Sequence, residues 1–361
     1  MIGRRAFTLG LGSSLLAAAP LGRALADRRK PIREMPYIPF EQVPNHRALM
    51  RRMIGQISAY CRRHAPQLAI LVRDAPELVV KGKREWQWQI WNDPAADKAG
   101  TITPIGSIDR DYLALIDGLL IDGMFSGADR YGEPTSADRH ALLLAAAKGA
   151  RVEGKTVLSI EYGPGPEMAD AILRQSKTDG FLTWINRLGD EQLARIPKEI
   201  PAGENAGHIA SLTAARNFLV MLAAEGFKSR EDWVAALCDT NYDLLVLDAF
   251  WNDLVPLTYA DIARLKQKKT GARRLVLADL PLGRARESAY YWKPEWRADD
   301  PSWLVARDPA QAGHWLVSYW DKGWEAVVGA HIQAAVKLGF DGFLLDQADS
   351  YLLFEDMMPI D

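Results

Sequence analysis

Cysteine is close to absent: Cys61 and Cys238 are the only two in 361 residues, too few for a disulfide scaffold. They lie far apart on stretches with helical patterning, which is compatible with two buried thiols or with one bridge. Histidine is also scarce. The six, at 46, 64, 140, 208, 314 and 331, form no H-x-H or H-E-x-x-H spacing, so a zinc site has no support. There is no P-loop, no G-x-S-x-G elbow and no strand-borne G-x-G-x-x-G, and the isolated Gly163-Pro164-Gly165-Pro166 reads as a rigid loop. Nothing calls for a cofactor. No apolar run reaches the ~20 residues that a membrane-spanning helix needs. Charge of neither sign dominates, with 44 basic against 46 acidic side chains. Basic pairs such as Arg51-Arg52 and Arg62-Arg63 read as solvated helix faces, which argues against nucleic acid as a partner. No repeat or low-complexity tract is evident.

What the chain does have is 48% hydrophobic residues, enough for a large core, and a strand that ends in acid. Gly339 to Tyr351, GFDGFLLDQADSY, carries an apolar run from Phe340 to Leu345 directly into Asp346 and Asp349. Apolar on both faces, it reads as a buried parallel strand, and in α/β folds the chemistry sits at the C-terminal end of such strands. Tryptophan is enriched: six of the 12 fall between Trp292 and Trp324. An indole there can stack on a sugar ring or fill a core. At the N-terminus, Gly3-Arg4-Arg5-Ala6-Phe7-Thr8-Leu9 has the twin-arginine pattern, an apolar stretch follows to Pro20, and Ala24-Leu25-Ala26 suits a signal peptidase. The expectation is a leader over residues 1–26 and one exported domain over 27–361, periplasmic or secreted, with the twin-arginine export machinery as a partner.

Strands are expected at Leu68–Val72, Leu115–Ile121, Thr156–Ile160, Gly180–Ile185, Leu244–Leu247, Arg274–Ala278, more weakly Trp315–Tyr319, and Phe340–Leu345. Helical spacing falls between most of them, at His46–His64, Ala137–Gly149, Ala210–Glu225, Tyr259–Lys268 and Trp324–Leu338. Eight strands alternating with helices predict an α/β fold, a (β/α)8 TIM barrel, with an open doubly wound sheet as the alternative. The interval Ile196–Gly207 reads as a linker or a long loop.

Several segments together carry a family resemblance. NFLVML at Asn217, TNYDLLVLDAF at Thr240, LTYADIARLK at Leu257, RRLVLADLPLGRARESAYYW at Arg273, PSWL at Pro301, YWDKGWE at Tyr319 and GFDGFLLDQADSY span Arg216 to Tyr351. This stretch resembles the endo-α-1,4-polygalactosaminidase family, glycoside hydrolase family 114, in its prokaryotic branch. MRRMIGQISAYCRRHAPQ at Met50, YLALIDGLLIDGMF at Tyr112 and GKTVLSIEYG at Gly154 are similar to what in the family follows the Asp-bearing strand, but here they precede it. The resemblance therefore implies a circular permutation, which a closed ring of βα units tolerates. It also places Asp361 near Pro36 to Asn45.

The family chemistry implies two carboxylates across a polysaccharide cleft. By motif, Asp346 matches the family's strand-end Asp, and Asp122 stands where the family has Glu, one methylene shorter. Asp349, Asp248, Glu161, Tyr162, Arg73, Tyr351 and Trp292 are expected around the substrate. Arg284 and Arg286 replace two family glutamates, and Arg73-Asp74-Ala75 replaces a QNG. An arginine beside Asp346 would favour its charged form, and Arg284 and Arg286 would recognise an anionic glycan or pair with Glu287 or Asp279. Two functions follow: an exported hydrolase of an amino-sugar or acidic polysaccharide, or a barrel that binds such a glycan or assists its assembly without turnover. An arginine blocking the carboxylate pair would favour binding.

Overall fold

The computed structural model describes residues 39, 42–189 and 193–358; the expected leader and Asp361 lie outside them. Eight parallel strands form one sheet: β1 Ala69–Arg73, β2 Gly118–Asp122, β3 Thr156–Tyr162, β4 Leu182–Asn186, β5 Phe218–Met221, β6 Leu244–Leu247, β7 Leu275–Pro281 and β8 Gly342–Asp346. Their order, β4-β3-β2-β1-β8-β7-β6-β5, follows the chain around a nearly closed ring. The seam between β4 and β5 is bridged by side chains, with Trp184 edge-on to Phe218 at 6.3 Å. This is an α/β barrel.

The strands read as continuous apolar runs because both faces are covered. Leu71, Leu120, Leu158, Ile160, Val246, Leu277 and Leu344 fill the interior, while Ile70, Val72, Ile121, Leu245, Val276 and Phe343 pack outward against the helices. Side chains alternate between faces, so the residue two beyond each interior leucine or valine also points inward at the C-terminal mouth.

Two sequence expectations need correction, and they offset each other. Ala210–Glu225 is not a helix; it contains the short 3-10 turn Leu212–Ala214 and strand β5. A run as short as FLVM, buried on both faces, carries no period that separates strand from helix. Trp315–Tyr319 is not a barrel strand: His314–Val317 is the central strand of a small antiparallel sheet with Arg284–Arg286 and Leu304–Arg307. That sheet belongs to the long excursion between β7 and β8, whose core is a chain of indoles. Ring centroids lie 5.3 Å apart for Trp292 and Trp296, 5.0 Å for Trp296 and Trp303, and 5.1 Å for Trp303 and Trp324.

A second spacing explains how the strands are held. Asp117, Asp243 and Asp341 each precede a strand by one residue and lie five residues before Asp122, Asp248 and Asp346. The earlier aspartate of each pair accepts a backbone N–H from the neighbouring strand's entry: Ile70 N at 2.8 Å, Arg216 N at 2.8 Å and Val276 N at 3.0 Å, respectively. In β2 and β8 glycine follows, because a Cβ at Gly118 would lie 2.3 Å from Thr156 O and one at Gly342 2.1 Å from Ala69 O. Helix His46–His64 packs on the final helix Tyr351–Met357, with Arg47 forming two bonds of 2.9 and 3.0 Å to Glu355. Among the described residues no helix is long and apolar enough to cross a membrane.

Candidate functional site

At the C-terminal mouth the alternation delivers Arg73 from β1, Asp122 from β2, Tyr162 from β3, Asp248 from β6, Asp279 from β7 and Asp346 from β8. Because β1 lies between β8 and β2, Arg73 stands between the two aspartates expected to form the pair. Its Nη1 donates to Asp346 Oδ2 at 3.2 Å, its Nε to Asp122 Oδ2 at 3.1 Å, and its Nη2 also donates to Asp122 Oδ2. The three side chains are only 7%, 14% and 15% exposed for Arg73, Asp346 and Asp122. Burial alone would lower the proton affinity of Arg73, but Asp122 and then Asp346 raise it well above the ordinary value. Tyr162 Oη donates to Asp122 Oδ2 at 3.1 Å, and burial followed by the Asp122 charge makes that phenol very reluctant to ionise. The arginine bonded to Asp346 is thus Arg73, which the sequence places only among the residues around the substrate.

The residues directly after Arg73 and Asp346 both have left-handed backbones, with φ 51° at Asp74 and 57° at Gln347. Such conformations are costly for non-glycine residues and cluster where the surroundings hold a site in place. Asp74 turns back so that its Oδ1 accepts Asp122 N at 2.8 Å, and Gln347 N donates to Asp346 Oδ1 at 2.7 Å. Burial, then the Asp122 charge, pushes the Asp74 carboxyl well above the usual carboxylate range against the pull of Arg73. Asp279 lies deeper, buried below Asp346, with its Oδ1 unpartnered; desolvation and then the charges of Asp346 and Asp248 push it up strongly. Both acids were missed as site members. The alternation from Leu277 carries the signal for Asp279, whereas the turn that aims Asp74 is not written in its residue type.

The other expected residues divide. Asp248 is buried at the rim, pushed up by burial, and accepts from Arg286 Nη2 at 2.9 Å. Arg286 also pairs with Asp253 at 2.6 Å, and Arg284 pairs with Asp308 at 2.5 Å. The partners are thus neither Glu287 nor Asp279, and both arginines are engaged within the protein. Asp349 and Asp308 raise the proton affinity of Arg284 against the opposing effect of burial, which places Asp349 at the same rim. Three residues are not brought to the mouth. Glu161, on the outward face of β3, is fully buried and accepts from Phe125 N at 2.9 Å and Ser126 N at 2.8 Å, fixing the loop after β2; burial raises its pKa to about 8. Tyr351 is buried and donates to Glu77 at 2.7 Å. Trp292 belongs to the indole chain, packed against Trp296 and Trp315. A strand-end position is not sufficient for a site residue: Glu161 has it with the wrong parity.

Cys61 and Cys238 are free thiols, and burial pushes Cys61 up to about 11. No group of three or more His, Cys, Asp or Glu side chains among the described residues has metal-binding geometry.

No protein-family model matches the chain. It is 30% identical over 141 residues to an uncharacterized protein of Deinococcus radiodurans, covering 39% of this chain and 43% of that one. It is 25% identical over 147 residues to an uncharacterized protein of Methanocaldococcus jannaschii, covering 41% of each. A third match, 35% identical over 75 residues, is an uncharacterized protein of Thermotoga maritima, covering 21% of this chain and 23% of that one. The chain thus matches less than half the length of each of these relatives.

Proposed function

We propose that this protein is an exported, polygalactosaminidase-like glycoside hydrolase acting on an amino-sugar or acidic polysaccharide at the C-terminal mouth of the barrel. The observation that carries this reading is the assembly there of four carboxyl groups around one guanidinium: Asp122 and Asp346 bonded to Arg73, Asp74 and Asp279 pushed toward the protonated form. Glycoside cleavage requires two carboxyl groups at one cleft, one that gives a proton and one that acts as nucleophile or base. Asp346 takes the base role in this reading. The motif resemblance supplies the substrate class. The same resemblance makes the chain a circular permutant of its family, an arrangement to which the packing of the first described helix against the last is suited. Export rests on the twin-arginine pattern at Arg4-Arg5.

A second reading has its own observation. Arg73 stands between Asp122 and Asp346, and a guanidinium there opposes proton donation by either; a barrel that binds the glycan without cleaving it fits that arrangement. Release of reducing ends from galactosamine-containing and uronic-acid polysaccharides by the mature chain and by D346N separates the two. Turnover abolished in D346N, with the fold intact, supports the hydrolase. Glycan binding by both proteins without turnover favours the binding barrel, and turnover unchanged in D346N refutes the assignment of this residue.

A further inference from the structure

We propose, resting on the hydrolase reading, that Asp74 is the proton donor to the leaving oxygen, with Asp122 serving to position it. Around Arg73 stand four carboxyl groups, Asp74, Asp122, Asp279 and Asp346. Arg73 is the one guanidinium bonded to Asp122 and Asp346, while Arg139 acts on Asp74, Arg286 on Asp279 and Arg284 on Asp346 through space; crowding of four buried carboxyl groups still favours retention of a proton among them. Asp122 and Asp346 hold the guanidinium directly. Asp279 is only 4% exposed beneath Asp346, out of reach of a polysaccharide. Asp74 remains, and at 26% exposed it is more open than Asp122 or Asp346. Its Oδ2 stands 3.7 Å from Arg73 Nε, while its Oδ1 is pinned by Asp122 N. One oxygen is therefore fixed in place while the other is left to carry the proton.

The groups that set its titration are Asp122 and Arg73 at the mouth, with Tyr162 beside them, and Arg139 from helix Ala137–Val152, itself 3.9 Å from Glu77. Burial and the Asp122 charge favour the neutral form, and Arg73, the Asp122 backbone N–H and Arg139 oppose it. In the reaction the bond between the anomeric carbon and the bridging oxygen breaks, and its electron pair stays on that oxygen, which takes the Asp74 proton. Water oxygen bonds to the anomeric carbon and yields a proton to Asp346. One water is consumed, and proton exchange with solvent restores both carboxyls. Asp122 is a positioning residue here: its backbone N–H aims Asp74, and its side chain holds Arg73.

The test compares wild type, D74N and D346N on a galactosamine polysaccharide and on a 2,4-dinitrophenyl galactosaminide, whose leaving group needs no proton. Loss of a general acid costs about 10²- to 10⁴-fold on the unactivated bond. D74N is expected to show that loss on the polysaccharide, less than about tenfold on the aryl glycoside, and no basic limb in its pH–rate profile; D346N is expected to fail on both. Equal losses for D74N on the two substrates would overturn the donor role while leaving the hydrolase reading standing. The carbon-13 carboxyl signal of Asp74, assigned by its absence from D74N, gives a readout that does not need turnover. Titration in the ordinary carboxylate range would overturn the donor role on its own. A protonated Asp74 in a wild-type protein that cleaves neither substrate would overturn the hydrolase reading, and the donor role with it.

Discussion

Replacing Arg73 by methionine removes the one cation that Asp122 and Asp346 share while keeping most of the side-chain volume. Arg73 is 7% exposed and its two partners are 15% and 14% exposed, so water cannot take over the solvation it provides. Exposed pairs contribute at most about 1 kcal/mol, whereas removing one partner of a buried pair costs about 3–5 kcal/mol, because the other charge is left uncompensated. Two carboxylates are stranded here, so R73M is expected to lose about 4 kcal/mol at neutral pH, near the middle of that range. The deficit should shrink as the pH is lowered, since stranded carboxyls escape the penalty by binding protons. Urea denaturation followed by tryptophan fluorescence, at pH 7.5 and again near pH 4, measures both effects. The triple variant R73M, D122N, D346N should recover most of the loss, because neutral amides leave no charge unpaired. A deficit below about 1 kcal/mol at pH 7.5, or no recovery in the triple variant, would refute the view that Arg73 is the electrostatic keystone of the mouth.

Glu161 offers a test of opposite sign. Its pKa is raised from 4.5 to about 8, so the folded chain holds a proton that the unfolded chain releases between those limits, and stability falls as pH rises across that window. In E161Q this contribution is absent: the variant should gain on wild type by up to about 1.4 kcal/mol per pH unit between pH 4.5 and 8. A constant cost of the amide would shift the curve without changing its slope, so parallel stability curves for the two proteins would contradict the assignment. At the barrel floor, G342A drives a methyl to 2.1 Å from Ala69 O and should cost about 3 kcal/mol through separation of β8 from β1; an unchanged denaturation midpoint would show that the strands can part there.

The apolar runs around the barrel were legible in the sequence because a strand buried on both faces must be apolar on both. The acid at the end of GFDGFLLD was legible for the same reason: it interrupts a pattern that burial otherwise enforces. Periodicity could not decide FLVM at β5, since four buried residues fit a helix or a strand equally. Parity was also available in principle. It separates Asp122, Asp248, Asp279 and Asp346, which continue interior positions, from Glu161, which does not. The partners were not available. That Arg73 stands between Asp122 and Asp346 follows from β1 lying between β2 and β8, a neighbour relation that joins residues 73 and 346 only after the ring has formed. Which of the mouth carboxyls keep a proton depends on how many share one guanidinium and how deeply each is desolvated, and both quantities are properties of the assembled barrel. The sequence by itself determined seven of the eight barrel strands, all but β5, and the supply of acids at their ends; closure of the ring decided which charges meet, because Coulomb and desolvation energies depend on distance through space rather than along the chain.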